Sequence, residues 1–144
     1  MENCLFCKII KGEIPSSRVY ENEFVYAFRD ISPQAPVHVL VIPKKHVSSL
    51  SDISETSDRE LAECLRAVSA VAAQEGLSGG YRVVSNCGDD ACQSVHHLHF
   101  HVLGGTQLND RMAQGRKRPE RTQVSHFQKK VDSVSRRLYN HLWF

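Results

Sequence analysis

His97, His99 and His101 occupy alternate positions, separated by Leu98 and Phe100 and followed by Val102, Leu103 and Gly104. Successive side chains of an extended strand leave opposite faces, so the pattern predicts three imidazoles on one face and Leu98, Phe100 and Val102 on the other. That is a chemical surface backed by a hydrophobic anchor. At ~3.3 Å per residue, His97 and His101 stand roughly 13 Å apart along the backbone, with His99 ~6.6 Å from each. Bonds of ~2.0–2.1 Å to one small metal ion could not easily gather all three, so the row suits an extended substrate centred on His99. The chain has eight histidines in all. Three of them in strict alternation on one face favour a chemical surface over a half-buried strand with incidental histidines.

The flanking sequence predicts a mixed architecture. Phe6 to Ile10 reads as a short helical turn broken by Gly12 and Pro15. Arg18 to Glu21, Phe24 to Arg29 and Val37 to Ile42 read as strands, the first two joined as a hairpin across Asn22-Glu23. From Ser54 or Thr56 to about Gln74, the residues Leu61, Leu65, Val68 and Val71 or Ala72 recur at helical spacing, and Gly76 supplies a stop. Tyr81 to Ser85 and Val95 to Leu103 complete the strands, linked by the polar loop Asn86 to Ser94. The expected class is α+β, an antiparallel sheet with one long amphipathic helix against it.

Charge divides the chain more sharply than its net value of +2 suggests. Residues 1–110 hold 9 Lys and Arg against 14 Asp and Glu, a net of −5; residues 111–144 hold 9 against 2, a net of +7. We therefore expect a domain over 1–110 and a basic extension over 111–144, partly helical from Val131 to His141 and docked on the acidic body. Its run Gly115-Arg116-Lys117-Arg118-Pro119-Glu120-Arg121 could also bind a polyanion. No apolar run approaches the ~18 residues of a membrane span, and Met1 to Lys11 has no secretion-signal pattern. The expected location is the cytoplasm or the nucleus, without a membrane partner. Five cysteines, an odd number, then argue for free thiols or metal ligands over a disulfide framework.

His97-Leu98-His99-Phe100-His101-Val102-Leu103 resembles the signature of the histidine triad (HIT) nucleotide hydrolases and transferases. Phe28-Arg29-Asp30-Ile31-Ser32-Pro33-Gln34-Ala35-Pro36 and Val39-Leu40-Val41-Ile42-Pro43-Lys44-Lys45-His46 are similar, in the same order, to segments of the histidine-triad nucleotide-binding, protein kinase C interacting protein-like branch. The resemblance runs from about Cys4 to Gly105, and the tail from Thr106 departs from the short ending usual there. It implies a HIT-like fold and a homodimer whose two sheets become one, with the helix and Tyr81 to Ser85 at the interface.

A neutral imidazole is a nucleophile at physiological pH, and a central histidine whose second ring nitrogen is oriented by an acceptor can attack phosphorus. The resemblance assigns that role to His99, charge stabilisation at the α-phosphate to His101, and hydrogen bonding of the leaving group to Ser94, with His97 the first member of the triad. Asp30 suits the ribose hydroxyls. Leu5, Phe6, Phe28, Ile31 and Leu40 match the family's base slot, Asn86 a residue near the phosphate, and Gln93 and Val95 positions that lend backbone groups to it. A lone Cys4-x-x-Cys7 could be a redox pair or chance; with His46 and His97 available, four zinc ligands can also be assembled. The family resemblance implies that these four, Cys4, Cys7, His46 and His97, hold a structural zinc, with no catalytic metal required. His96 is placed on the Leu98 face, His38 is expected to be buried and hydrogen-bonded near the site, and Cys87 and Cys92 have no evident partner.

The expected activity is purine nucleoside phosphoramidase, hydrolysing adenosine 5′-monophosphoramidate-type substrates through a nucleotidyl-histidine. The alternatives are a dinucleoside polyphosphate hydrolase and a nucleotide-binding interaction or scaffold protein with incidental hydrolysis. A nucleic-acid deadenylase is disfavoured, because the basic tail carries no zinc-finger pattern.

Overall fold

In the computed structural model, residues 3–113 and 115 are described. The chain divides into two units, Met1–Leu108 and Asn109–Phe144; the helix and docking expected of the tail fall outside the described residues. The first unit is ordered α1 (Leu5–Ile10), β1 (Arg18–Glu21), β2 (Val25–Arg29), β3 (Val37–Pro43), α2 (Asp58–Gln74), β4 (Tyr81–Val84) and β5 (Phe100–Gly104), with 3₁₀ segments at Leu50–Glu55 and Asp89–Ala91. The five strands form one antiparallel sheet in the order β1-β2-β3-β5-β4. This is the expected α+β architecture.

Strand alternation separates two cores. The register places Ala27, Val41 and Phe100 side by side, and next to them Val39, Val102 and Val83. This face packs under α2, which buries Cys64, Ala67, Val68, Val71 and Ala72. On the opposite face Phe28, Leu40, His101 and Val84 form one cross-strand row. There Tyr26, Phe28, Leu40 and Ile42 pack against Phe6 and Ile9 of α1.

Local chemistry sets the element ends. Asn22 Oδ1 accepts from the N–H groups of Phe24 and Val25 at 2.8 and 2.9 Å, closing the β1–β2 turn. The long helix begins later than the apolar period suggests, because Ser57 caps it and Glu60 returns the bond, a complete capping box. Residues Leu50–Glu55 instead form the separate 3₁₀ segment. Gly76, at φ +70, ends the helix in a left-handed turn that L side chains rarely adopt. Leu65, expected in the buried stripe, is 59% exposed.

The last strand is shorter than expected, starting at Phe100 instead of Val95. The backbone between is committed elsewhere: the Val95 carbonyl accepts from Gln93 Nε2, the Leu98 N–H donates to the Val47 carbonyl, and the His97 carbonyl accepts from His99 Nδ1. His97 and His99 therefore precede the strand. The separation of faces nonetheless holds, with Leu98, Phe100 and Val102 buried in the α2-side core. His96 differs from expectation, being exposed. No described helix is long and apolar enough to cross a membrane.

Candidate active site

A cavity of about 660 Å³ opens on the sheet face away from α2. Its walls include Leu5, Phe6, Phe28, Asp30, Ile31, Leu40, Asn86, Ser94, Val95, His99 and His101, all sequence candidates, together with His38 and Val84. The row Phe28, Leu40, His101 and Val84 is its floor, laid by strand register. Ile31, at 97% exposure, is a lip and not a buried wall. Gln93 does not line the cavity. Its amide accepts from the Gly88 N–H and donates to the carbonyls of Ser48 and Val95, buckling the Asn86–Ser94 loop onto the segment after His46.

Hydrogen bonding fixes the state of each imidazole. His99 Nδ1 lies 2.6 Å from the His97 carbonyl. A carbonyl only accepts, so Nδ1 carries the proton and Nε2 the lone pair. The ring is wedged edge-on against Phe6, centroids 5.3 Å apart, and against His101 at 5.0 Å. Beside it, His38 Nδ1 accepts from the Gln34 N–H at 3.0 Å, which puts the His38 proton on Nε2. That proton is donated to His101 Nδ1 at 2.8 Å, and Asp30 Oδ2 lies 3.5 Å from the same His38 nitrogen. His101 must then carry its own proton on Nε2. Burial, with His99 and His38 adding, pushes His101 down to about 4, so it is neutral at physiological pH. The site thus pairs a lone-pair nitrogen on His99 with a neutral N–H donor on the neighbouring ring. His38, expected only as a buried histidine, orients that donor.

Among the described residues, two groups of ligand-type side chains converge. In Asp30, His38 and His101 the two ring nitrogens are 2.8 Å apart, hydrogen-bond length, and the other His38 nitrogen is already an acceptor. Metal binding through His38 Nε2 would move its proton to Nδ1, facing the Gln34 N–H, so this group fits a relay and not an ion. Cys4, Cys7, His46 and His97 differ. Their separations are 3.4 Å for Cys4 Sγ to His97 Nδ1, 3.4 Å for Cys7 Sγ to His46 Nδ1, 3.6 Å for Cys7 Sγ to His97 Nδ1 and 3.2 Å between the two Nδ1 atoms. Bonds of about 2.3 Å to sulfur and 2.05 Å to nitrogen give tetrahedral edges of about 3.3–3.6 Å, so the donor set fits one zinc ion. His97 Nε2 donates to the Pro43 carbonyl at 2.8 Å, leaving Nδ1 as the ligand atom. Burial lowers His97 to about 4, keeping it neutral, and raises the Cys7 thiol to about 11, with Cys4 adding.

One loop cysteine, Cys87, is better placed than the sequence reveals. Cys87 Sγ lies 3.0 Å from Ser51 Oγ and 3.4 Å from Ser49 Oγ, and these hydroxyls hold its pKa below the usual thiol value. Cys64, on the buried face of α2, is pushed up to about 12 by burial, with Glu60 and Glu63 adding.

A profile of the HIT domain matches residues 11–108. The 14 kDa zinc-binding protein of Zea mays is 53% identical over 108 residues, 73% of this chain and 84% of the relative. Adenylylsulfatase HINT1 of Arabidopsis thaliana is 48% identical over 108 residues, 73% of each chain. Among solved structures, a HIT family hydrolase from Clostridium thermocellum superposes with a TM-score of 0.75 at 46% identity, covering 78% of this chain and 99% of that one.

Proposed function

The chain belongs to the HIT domain family, and from that membership we propose that it is a purine nucleoside phosphoramidase working through a covalent nucleotidyl-histidine. The observation that carries this reading is the tautomer pair: a His99 Nε2 lone pair beside a neutral His101 N–H donor in one cavity. His99 Nε2 attacks the α-phosphorus of a nucleoside 5′-phosphoramidate, the P–N bond breaks, and the nitrogen leaves as the amine with a proton drawn from solvent. His101 donates to the phosphoryl oxygen on which charge builds, the role of an oxyanion-hole donor. Ser94, exposed at the cavity wall, hydrogen-bonds the leaving nitrogen. Water then attacks the nucleotidyl-histidine and releases the nucleoside monophosphate and free His99. Asp30 receives the ribose, Leu5, Phe6, Phe28, Ile31 and Leu40 receive the base, and Asn86 with the Val95 backbone receives the phosphate; Gln93, outside the cavity, braces the loop that carries them. Zinc at Cys4, Cys7, His46 and His97 is structural; when bound it ties the N-terminus to the sheet.

The homodimer enters this reading through exposed apolar residues. Tyr81 and Val83 on edge strand β4 and Leu65 on α2 are 43%, 39% and 59% exposed. Val83 lies beside Val102 on the α2 face, and these exposed side chains of β4 and α2 are the ones offered to a second copy in this reading.

Brief mixing with adenosine 5′-monophosphoramidate, followed by intact-protein mass spectrometry, tests the proposal. The expected result is one adenylyl adduct on His99 that decays to AMP. AMP binding without an adduct or turnover would leave a nucleotide-binding scaffold. The Arabidopsis relative is named an adenylylsulfatase, which favours a second reading with sulfate as the leaving group. Adenosine 5′-phosphosulfate in the same assay gives the same adduct, and relative rates decide between the substrates.

A further inference from the structure

The candidate metal cluster touches the cavity at two points. The first is Phe6, which sits between Cys4 and Cys7 in sequence and is 4% exposed. Its ring meets His97 at 5.9 Å, His99 at 5.3 Å and Phe28 at 5.4 Å, so one side chain contacts a metal ligand, the proposed nucleophile and a slot wall. The second is His97 itself. Its Nδ1 faces the cysteines, while its carbonyl accepts the His99 Nδ1 proton that sets the His99 tautomer. The Phe6 contact depends on α1, which has only six residues, and Cys4 at its N-cap and Cys7 in its first turn reach His97 Nδ1. A helix that short has no stability of its own in water. Phe6 and Ile9 are its buried side chains, so the Cys4 and Cys7 thiolates on a shared ion would be its main further tie.

We propose that occupancy of the four-ligand cluster and occupancy of the nucleotide cavity are linked, with Phe6 as the strut between them. Zinc fixes α1, and α1 presents Phe6 as a wall against the base and a wedge against His99. Nucleotide packed on that wall in turn holds α1 and its thiolates in place. Linkage is reciprocal, so nucleotide must strengthen zinc binding by the same factor by which zinc strengthens nucleotide binding. This inference rests on the zinc and nucleotide readings above.

The test uses the full chain loaded with one zinc, transferred to a chromogenic chelator with and without saturating AMP, and AMP affinity measured separately before and after zinc removal. The expected result is a zinc affinity, read from the chelator competition at equilibrium, raised about fivefold or more by AMP, with a matching loss of AMP affinity in the stripped protein. Phe6→Leu should weaken AMP binding, and at AMP concentrations that saturate this variant the ratio of zinc affinities with and without AMP should fall close to one. Zinc uptake and AMP binding with equal zinc affinities in both conditions would overturn the linkage and leave both readings standing. A chain that takes up no zinc would overturn it together with the reading of the cluster, and one that binds no AMP together with the reading of the cavity.

Discussion

The two faces of the sheet are built from the same strands to opposite specifications. Under α2, the register sets Ala27, Val39, Val41, Phe100 and Val102 into an apolar layer closed by Val68, Val71 and Ala72. One residue along each strand, the other face carries His38, His101 and Leu40, with His97 and His99 just before β5, and it is left open as a cavity. Packing on the first face is hydrophobic burial alone, whereas polar groups on the second are satisfied by a chain of hydrogen bonds from Gln34 through His38 to His101. A period of two thus lets one strand supply stability and chemistry without either set of side chains compromising the other.

Substitutions on adjacent residues test this division most severely. His99→Ala should lower turnover by on the order of 10³-fold or more, with AMP binding and melting temperature little changed; turnover within tenfold of the parent would remove His99 as nucleophile. Leu98→Ala, one residue away but 1% exposed on the α2 side, should instead cost about 2–5 kcal/mol in denaturant unfolding while His99 still becomes nucleotidylated. A stable Leu98→Ala protein that forms no adduct would show that the faces are not separate. Ser94→Ala should slow alkylamine leaving groups by about 10²-fold and acidic leaving groups far less, because only the poor ones need help departing. Equal losses on both would take Ser94 out of that role.

Acid should find the open face first. His101 is held at about 4 when folded and returns to about 6.5 on unfolding. Between those values the unfolded chain binds more protons, so this contribution to stability is complete above pH ~6.5 and is lost as pH falls toward 4. Denaturant midpoints should therefore drop from pH 7 to pH 5, and His101→Gln should narrow the drop; an unchanged drop would mean that His101 titrates normally. The smallest effect belongs to the α2 side: Ser57→Ala removes the helix cap and should cost about 1 kcal/mol with substrate profile and adduct formation unaltered.

Much of this arrangement was legible from residue order. Alternation from His97 to Val102 assigns faces correctly even though His97 and His99 lie outside β5, because the pattern records which side each residue serves and not whether its backbone pairs. The strand start was not legible, since it is decided by the Val47 carbonyl, distant in sequence, taking the Leu98 N–H and by the Gln93 side chain turning back onto the Val95 carbonyl. The later helix start was written in Ser57-x-x-Glu60, a signal that apolar periodicity passes over. Leu65 kept the helical period but faces outward, which period alone cannot distinguish from burial. The roles of His38 and Cys87 depend on Gln34, Asp30, Ser49 and Ser51, partners that the fold brings together and spacing does not reveal.

The bond from His99 Nδ1 to the His97 carbonyl reaches beyond orientation. An imidazole can be substituted at either nitrogen, giving two constitutional isomers with different lability in acid and different nitrogen and phosphorus NMR signatures. With Nδ1 committed to a main-chain oxygen two residues upstream, an electrophile taken by this ring becomes attached at Nε2 and yields a single isomer. No side-chain replacement removes that carbonyl, so the regiochemistry of the adduct is inherited from the backbone and should persist through substitutions that alter every other property of the site.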